Sequence, residues 1–264
     1  MGIYLRVLIK LYTRPLFSVK YTLIHISRIP ILSVDKTLRQ EYHGRMDMKE
    51  RIGYGVGTII SVLLVIGSWK GWFPMTEVEV FGFITGALCV WLTVKEDIWN
   101  WPIGIANSVF FVVLFWRSRL FADMGLNVLY VILGFLGWYW WLYGGKNKSE
   151  LRVQNVDAFT MTWLTIAGIL FTWGATVYLR SIADISPFWD ALTTAISLVA
   201  QYLLTKKFIE NWHFWITTDI IYVFLYFYKD LYLTGILYAI FLAMCFVGLK
   251  DWRKTQLKAQ KHEI

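Results

Sequence analysis

The chain has 264 residues, 57% of them apolar before its 19 glycines are counted and only 17% charged. A soluble domain carries roughly 45–50% apolar and 25% charged residues, so this chain lacks the polar surface to wrap a globule in water and reads as an all-α integral membrane protein. Two cysteines, Cys89 and Cys245, both inside apolar runs, exclude a disulfide framework, and the net charge of +8 lies in loops rather than on a face with aromatic platforms, which excludes a nucleic-acid-binding module.

Residues 1–51 hold five basic side chains before the first acid, Asp35. They lack the long apolar core and small-residue cleavage site of a secretory signal, and Arg6 stands where a myristoylation signal needs Ser or Thr. They read as a basic N-terminal extension, disordered or translated from a start placed ahead of Met46 or Met48; a segment lying on the inner leaflet is the alternative. Beyond them, uncharged runs at Ile52–Trp69, Val80–Val94, Ile98–Trp116, Met124–Gly145, Ala158–Leu179, Ala191–Thr205, Asn211–Tyr228 and Leu231–Leu249 predict eight membrane helices. Most match the ~20 residues needed to cross ~30 Å of hydrocarbon. With eight spans both termini share a side, and that side collects 21 of the 26 Lys and Arg, leaving five for the other. By the positive-inside rule both termini are cytoplasmic.

The chain resembles itself. An offset of 112 places FWRSRLF (115–121) on FYKDLYL (227–233) and Asn107 on Asp219, while an offset of 111 places Gly137 on Gly248 and Trp141 on Trp252. One small indel reconciles the two. The matching blocks are the three helices of 77–145 and the three of 187–249 or slightly beyond, joined by a connecting span at 158–179: a 3+1+3 parallel repeat, with an additional helix at 52–73 in front and a basic tail at 250–264. Such repeats place a binding site near the midplane between the units.

Polar side chains inside a span must face protein or a water-filled cavity. Trp212, Trp215, Asp219, Tyr222 and Tyr226 recur at helical spacing on one face of the span at 211–228. Asp190, Thr194, Ser197 and Gln201 share a face of the span before it. In the first block Asn100, Gly104 and Asn107 align, as do Asn127, Tyr130, Gly134, Gly137, Trp138 and Trp141. Trp101, Trp140, Trp141 and Trp252 are expected to be interfacial anchors, and Trp212 either an anchor or part of the site. The glycines are expected to let helices approach, and Ser197 and Gln201 either to bind ligand or to join helices. Asp219 is different, because a charge at that depth costs at least ~2.5 kcal/mol on insertion scales. A carboxylate beside indoles suits a flat cationic ligand, with the amides of Asn107, Asn127 and Gln201 available for hydroxyls or a carboxamide. The four scattered histidines offer no metal site, and no glycine-rich loop offers a phosphate cradle, so no cofactor is expected.

SPFWD (186–190), TKKFIENWHFW (205–215), Asp219-x-x-Tyr222, YLTGILYAIFLAMCFVGLKDW (232–252) and GFLGWYWW (134–141) together resemble the PnuC family of bacterial nicotinamide riboside transporters. The likeness runs over residues 77–252. It implies a SWEET-like fold of seven core helices in the inner membrane. It also implies facilitated diffusion of nicotinamide riboside, an NAD precursor, by alternating access, with trapping by a cytoplasmic riboside kinase. Carried onto this chain, the pattern places ligand contacts at Trp215 and Asp219, with Trp212, Gln201 and Asn127 as neighbours and Asn107, Tyr222 and Ser197 on the same faces. Several relatives carry Asn at the position of Asp219 and Gln at that of Asn127, so another cationic vitamin such as thiamine remains an alternative cargo. An intramembrane enzyme using Asp219 lacks a partner acid, histidine or metal cluster within reach. Proton coupling through Asp219 and assembly into a homo-oligomer stay open.

Overall fold

A computed structural model describes residues 77–261 apart from 118–120, 183–185 and 229–231, together with 62, 66–67 and 70–71. The expected extension at 1–51 and most of the expected helix at 52–73 lie outside the described residues. The chain divides into two compact units, one over 11–80 and one running from Phe81 onward. The described helices belong to the second apart from the first turn, 77–80, of the first helix.

The second unit is built of seven helices: α1 (Glu77–Val94), α2 (Asn100–Arg117), α3 (Phe121–Tyr143), α4 (Ala158–Ser181), α5 (Pro187–Thr205), α6 (Asn211–Tyr228) and α7 (Tyr232–Lys261). Among the described residues the extended pairing is one isolated bridge, Gln154 to Phe208. Among the described residues three stretches are long and apolar enough to cross a membrane: Met124–Tyr143, Ala158–Ser181 and Thr234–Gln260. The others fall short because α2, α5 and α6 carry the polar side chains that face the interior. Serine and threonine hydroxyls inside the helices are satisfied locally, as when Thr172, Thr176 and Thr218 donate to carbonyls one turn back. Asp157 caps α4 by accepting from the Thr160 N–H at 2.8 Å, and hydrogen bonds from the Thr160 side chain first and its backbone N–H second hold the Asp157 carboxyl below the usual range. α4 packs on α5 and turns Phe159, Ile169, Leu170 and Trp173 outward, each more than three-fifths exposed, which is tolerable only where the solvent is lipid.

Helix pairs α2/α3 and α6/α7 pack in the same way, at a constant offset of 111 residues. The Trp101 ring sits in the notch left by Gly137, and the Trp212 ring sits in the notch left by Gly248. Trp101 meets Trp141 edge-on at 5.4 Å and 87°, and Trp212 meets Trp252 at 5.4 Å and 88°. The turns that precede α2 and α6 match bond for bond. The Asp97 N–H donates to Leu92 O at 2.9 Å where Phe208 N–H donates to Leu203 O at 3.0 Å. Glu96 and Lys207 both adopt the left-handed conformation, with φ of 55° and 56°.

Three expectations change. Trp101, Trp141 and Trp252 are not interfacial anchors: they are 4%, 3% and 0% exposed, because each packs against a glycine notch or a second indole inside the bundle. Asn107 is not the counterpart of Asp219. The paired helices begin at Asn100 and Asn211 and bury Phe115 and Tyr226 alike, so their register is 111 throughout and Ser108 is the counterpart. The offset of 112 reflected a chance likeness around the loops after these helices. Finally, α7 runs through the basic tail to Lys261, held by buried Trp252, by an Asp251–Lys254 ion pair at 3.2 Å and by Gln256 donating to Asn155.

An alanine at position 137 or 248 would overlap an indole ring, whereas Gly174 has nothing within reach of an added methyl. Gly137→Ala and Gly248→Ala should each destabilise the purified protein by about 1–3 kcal/mol, read as a lower thermal midpoint in detergent, and Gly174→Ala should not.

Candidate functional site

Helices α1, α2, α3, α5, α6 and α7 enclose a cavity of about 210 Å³. Its lining residues come largely in counterpart pairs at the offset of 111: Val90 with Gln201, Trp101 with Trp212, Gly104 with Trp215, Asn107 with Thr218, Ser108 with Asp219, Gly134 with Cys245. The two sets exchange contacts. Trp141 Nε1 donates to Leu204 O at 3.1 Å, and its counterpart Trp252 donates to Thr93 O, the counterpart carbonyl, at 3.0 Å. Reciprocal exchange of this kind places the cavity on an approximate twofold axis between the two sets of helices.

One end of the cavity is an indole layer. Trp101 and Trp212 line it, and Trp141 and Trp252 back them. The side-chain N–H groups of Trp101 and Trp212 are buried without a hydrogen-bond partner, leaving two donors at this end. Behind the indoles, Lys207 Nζ lies 4.6 Å from the centre of the Trp141 ring and 2.8 Å from Glu96 Oε2. The two residues of this ion pair are themselves counterparts, so it bridges the axis. The Gln154 strand segment pairs with 207–209, the Val156 N–H donates to Glu210 Oε2 at 3.0 Å, and Lys206, its ammonium pKa lowered by burial, rests 3.2 Å over the Trp140 ring. The loops at 95–97, 146–157 and 206–210 and the α7 tail thus meet at one end of the bundle. The opposite end is a phenol layer, where Tyr222, Tyr226 and Tyr238 stack with centroid distances of 4.9–5.8 Å beside Phe241.

Between the layers sits Asp219, 6% exposed, accepting from Cys245 Sγ at 3.4 Å. It is the one charged residue in the lining, which holds no lysine, arginine or histidine. Of the residues singled out from sequence, Trp212, Trp215, Asp219, Tyr222, Ser197, Gln201 and Asn107 all line this cavity; Asn127 is buried in α3 but is not among the lining residues. His213 is exposed on the far face of α6, beside Arg253, so Asp219 has no histidine to work with. Sequence reasoning missed Thr85, whose hydroxyl accepts from the Asn107 amide while donating to Phe81 O. It also missed Cys245, Ser108 and the Glu96–Lys207 pair. A signal for the last existed: Lys-x-x-Ile-x-Asn-Trp occurs at 95–101 and again at 206–212.

A buried carboxylate in an aromatic cavity between two layered ends is the arrangement of a small-molecule carrier, and the sequence comparisons agree. The family described as Nicotinamide mononucleotide transporter matches residues 76–254, more than half the chain. The chain belongs to this transporter family. Among its members, the nicotinamide riboside transporter PnuC of Escherichia coli K12 is 25% identical over 221 residues, covering 74% of this chain and 92% of the relative. The PnuC of Haemophilus influenzae is 26% identical over 223 residues, covering 82% and 95%. The riboflavin/roseoflavin transporter RibM of Streptomyces davaonensis is 23% identical over 181 residues, covering 66% and 83%. A crystal structure of the vitamin B3 transporter PnuC matches the fold with a TM-score of 0.61 at 22% identity, covering 83% of this chain and 96% of that one. The chain is therefore a multi-pass membrane transporter rather than an enzyme.

Glu96 and Lys207 occupy a conformation that costs non-glycine residues roughly 1–2 kcal/mol each, and their side chains are 11–15% exposed. Glu96→Gln or Lys207→Gln should lower stability by about 3 kcal/mol, since either leaves a mostly buried charge unpaired. Because the two turns are equivalent, the exchange Glu96→Lys with Lys207→Glu should recover most of the loss in the same thermal melt.

Proposed function

We propose that this protein carries nicotinamide riboside across the inner membrane by facilitated diffusion. The observation that carries this reading is Asp219, the one charged group in an aromatic cavity that Trp215 also lines. A pyridinium nucleoside offers the complementary chemistry: a flat ring for the indole face, a fixed positive charge for the carboxylate, and ribose and carboxamide groups for the amides of Asn107 and Gln201 and the hydroxyl of Ser197. Trp212 offers its buried N–H from the floor of the cavity, and Tyr222 closes the opposite end. Asn127 has a supporting place within α3.

The mechanism is alternating access by a 3+1+3 repeat, the units 77–145 and 187–249 rocking about the cavity with the helix at 158–179 as connector. The counterpart contacts at an offset of 111 support this division. Opening the indole end requires the Glu96–Lys207 pair and both exchanged tryptophan bonds to part; opening the other requires the phenol stack to separate. The basic loops gather at the indole end, so that end and both termini face the cytoplasm. There a riboside kinase would trap the cargo by adding a charge that the Asp219 site repels.

The carboxylate also suits thiamine, a second cationic vitamin, better than the uncharged flavin in the name of the Streptomyces relative. Uptake of labelled nicotinamide riboside by cells lacking their own uptake system should be saturable. It should be blocked by unlabelled nicotinamide riboside, and an equal block by thiamine at the same concentration would reassign the cargo. Asp219→Ala should reduce uptake at least roughly 10–100-fold while the protein still inserts, the loss expected for one interaction with a charged partner. Unchanged uptake by that variant would remove Asp219 from the site, and uptake that collapses with the pH gradient would replace facilitated diffusion by proton coupling.

A further inference from the structure

Within the twofold arrangement the two walls of the cavity are not chemically alike. The second set of helices supplies Trp215, Asp219 and Ser197; at the counterpart positions the first set has Gly104, Ser108 and Gly86. Half of the helix glycines among the described residues are explained by packing, since an added Cβ at Gly82, Gly134, Gly137, Gly235 or Gly248 would strike a neighbouring ring or branched side chain seated in the notch; at Gly86, which also lines the cavity, it would meet one atom, Phe241 Cζ, at 3.7 Å. Gly104 is different. A Cβ there meets a single atom, Cys89 Sγ at 3.3 Å, and both residues line the cavity, so the methyl would otherwise project into empty space. Glycine inside a helix weakens it relative to alanine. At position 104 the packing reward set against that weakness is one close approach, to the Cys89 thiol.

We propose that Gly104 is a specificity-determining position: the space its absent side chain leaves is occupied by the flat aromatic ring of the cargo, stacked on Trp215 across the axis. The ligand class is a planar, cationic heteroaromatic ring, and the inference rests on the transport function proposed above. Gly104 and Trp215 are counterpart positions that both line the cavity, and an indole at one with a bare backbone at the other leaves room for a ring beside the indole. Side chains at both positions would fill it, and glycine at both would leave the ring without a stacking face.

The test compares Gly104→Ala with the wild type in uptake of labelled nicotinamide riboside and in thermal stability. The expected result is a KM raised about tenfold with a thermal midpoint unchanged or higher, because the alanine favours the helix while intruding on the space for the ring. Cys89→Ala removes the one neighbour an added methyl meets, so Gly104→Ala in that background should keep the raised KM. Restoration of the wild-type KM there would show a packing clash and overturn the proposal, as would an unchanged KM in the single variant. If Gly104→Ala fails to insert, the double variant takes its place, and failure of both would make Gly104 a packing glycine and end the proposal. A wild-type protein that takes up no nicotinamide riboside sinks the transport reading and this inference together; a competent wild type with an indifferent Gly104→Ala sinks the inference alone.

Discussion

The bundle depends on four tryptophans and one ion pair that tie its two sets of helices across an approximate twofold axis. Trp101 and Trp212 fill glycine notches within their own sets, while Trp141 and Trp252 reach to carbonyls in the opposite set. In lipid there is little hydrophobic force to hold helices together, so notched packing and hydrogen bonds between helices carry the association. An indole supplies both, a large flat body for the notch and one N–H for a carbonyl. The same contacts define the floor of the cavity, which is why the fold and the site cannot be separated in this protein.

The axis also explains the chemistry of the cavity. A symmetric backbone alone would bring together pairs of like groups, two acids or two indoles. Two carboxylates close together in a medium of low dielectric would repel and drive one another to neutrality. The chain keeps one such pair of like groups, Trp101 and Trp212, but gives its one lining carboxylate, Asp219, a serine as counterpart and the indole of Trp215 a glycine. Cys245 approaches Asp219 where the first set has Gly134, and Thr85 orients Asn107 from its own set. The correspondence between the two sets of helices breaks at these positions, and that gives the cavity a directed chemistry.

Much of the site was legible in the sequence because a polar side chain inside an apolar run has few permitted directions. The helical spacing of Trp212, Trp215, Asp219 and Tyr222, and of Ser197 and Gln201, sufficed to assign faces, and all six line the cavity. The tryptophans were harder, since a tryptophan near a helix end has the same sequence signature whether it anchors in headgroups or plugs a bundle. Only the glycine notches opposite Trp101 and Trp212 distinguish the two. Asn127 shows the converse limit, a polar residue correctly turned inward yet buried beside the cavity rather than in its lining.

Composition and periodicity by themselves determined a polytopic helical membrane protein and its inward faces, because burial in lipid punishes every misplaced polar group by several kcal/mol and so writes topology into the pattern of charges. The correspondence at 111 residues is marked by the two Lys-x-x-Ile-x-Asn-Trp runs, but that it holds along whole helices and that Glu96 and Lys207 meet were decided by tertiary structure. They are relations between residues 111 positions apart, set by which surfaces meet about the axis, and no local spacing encodes that meeting.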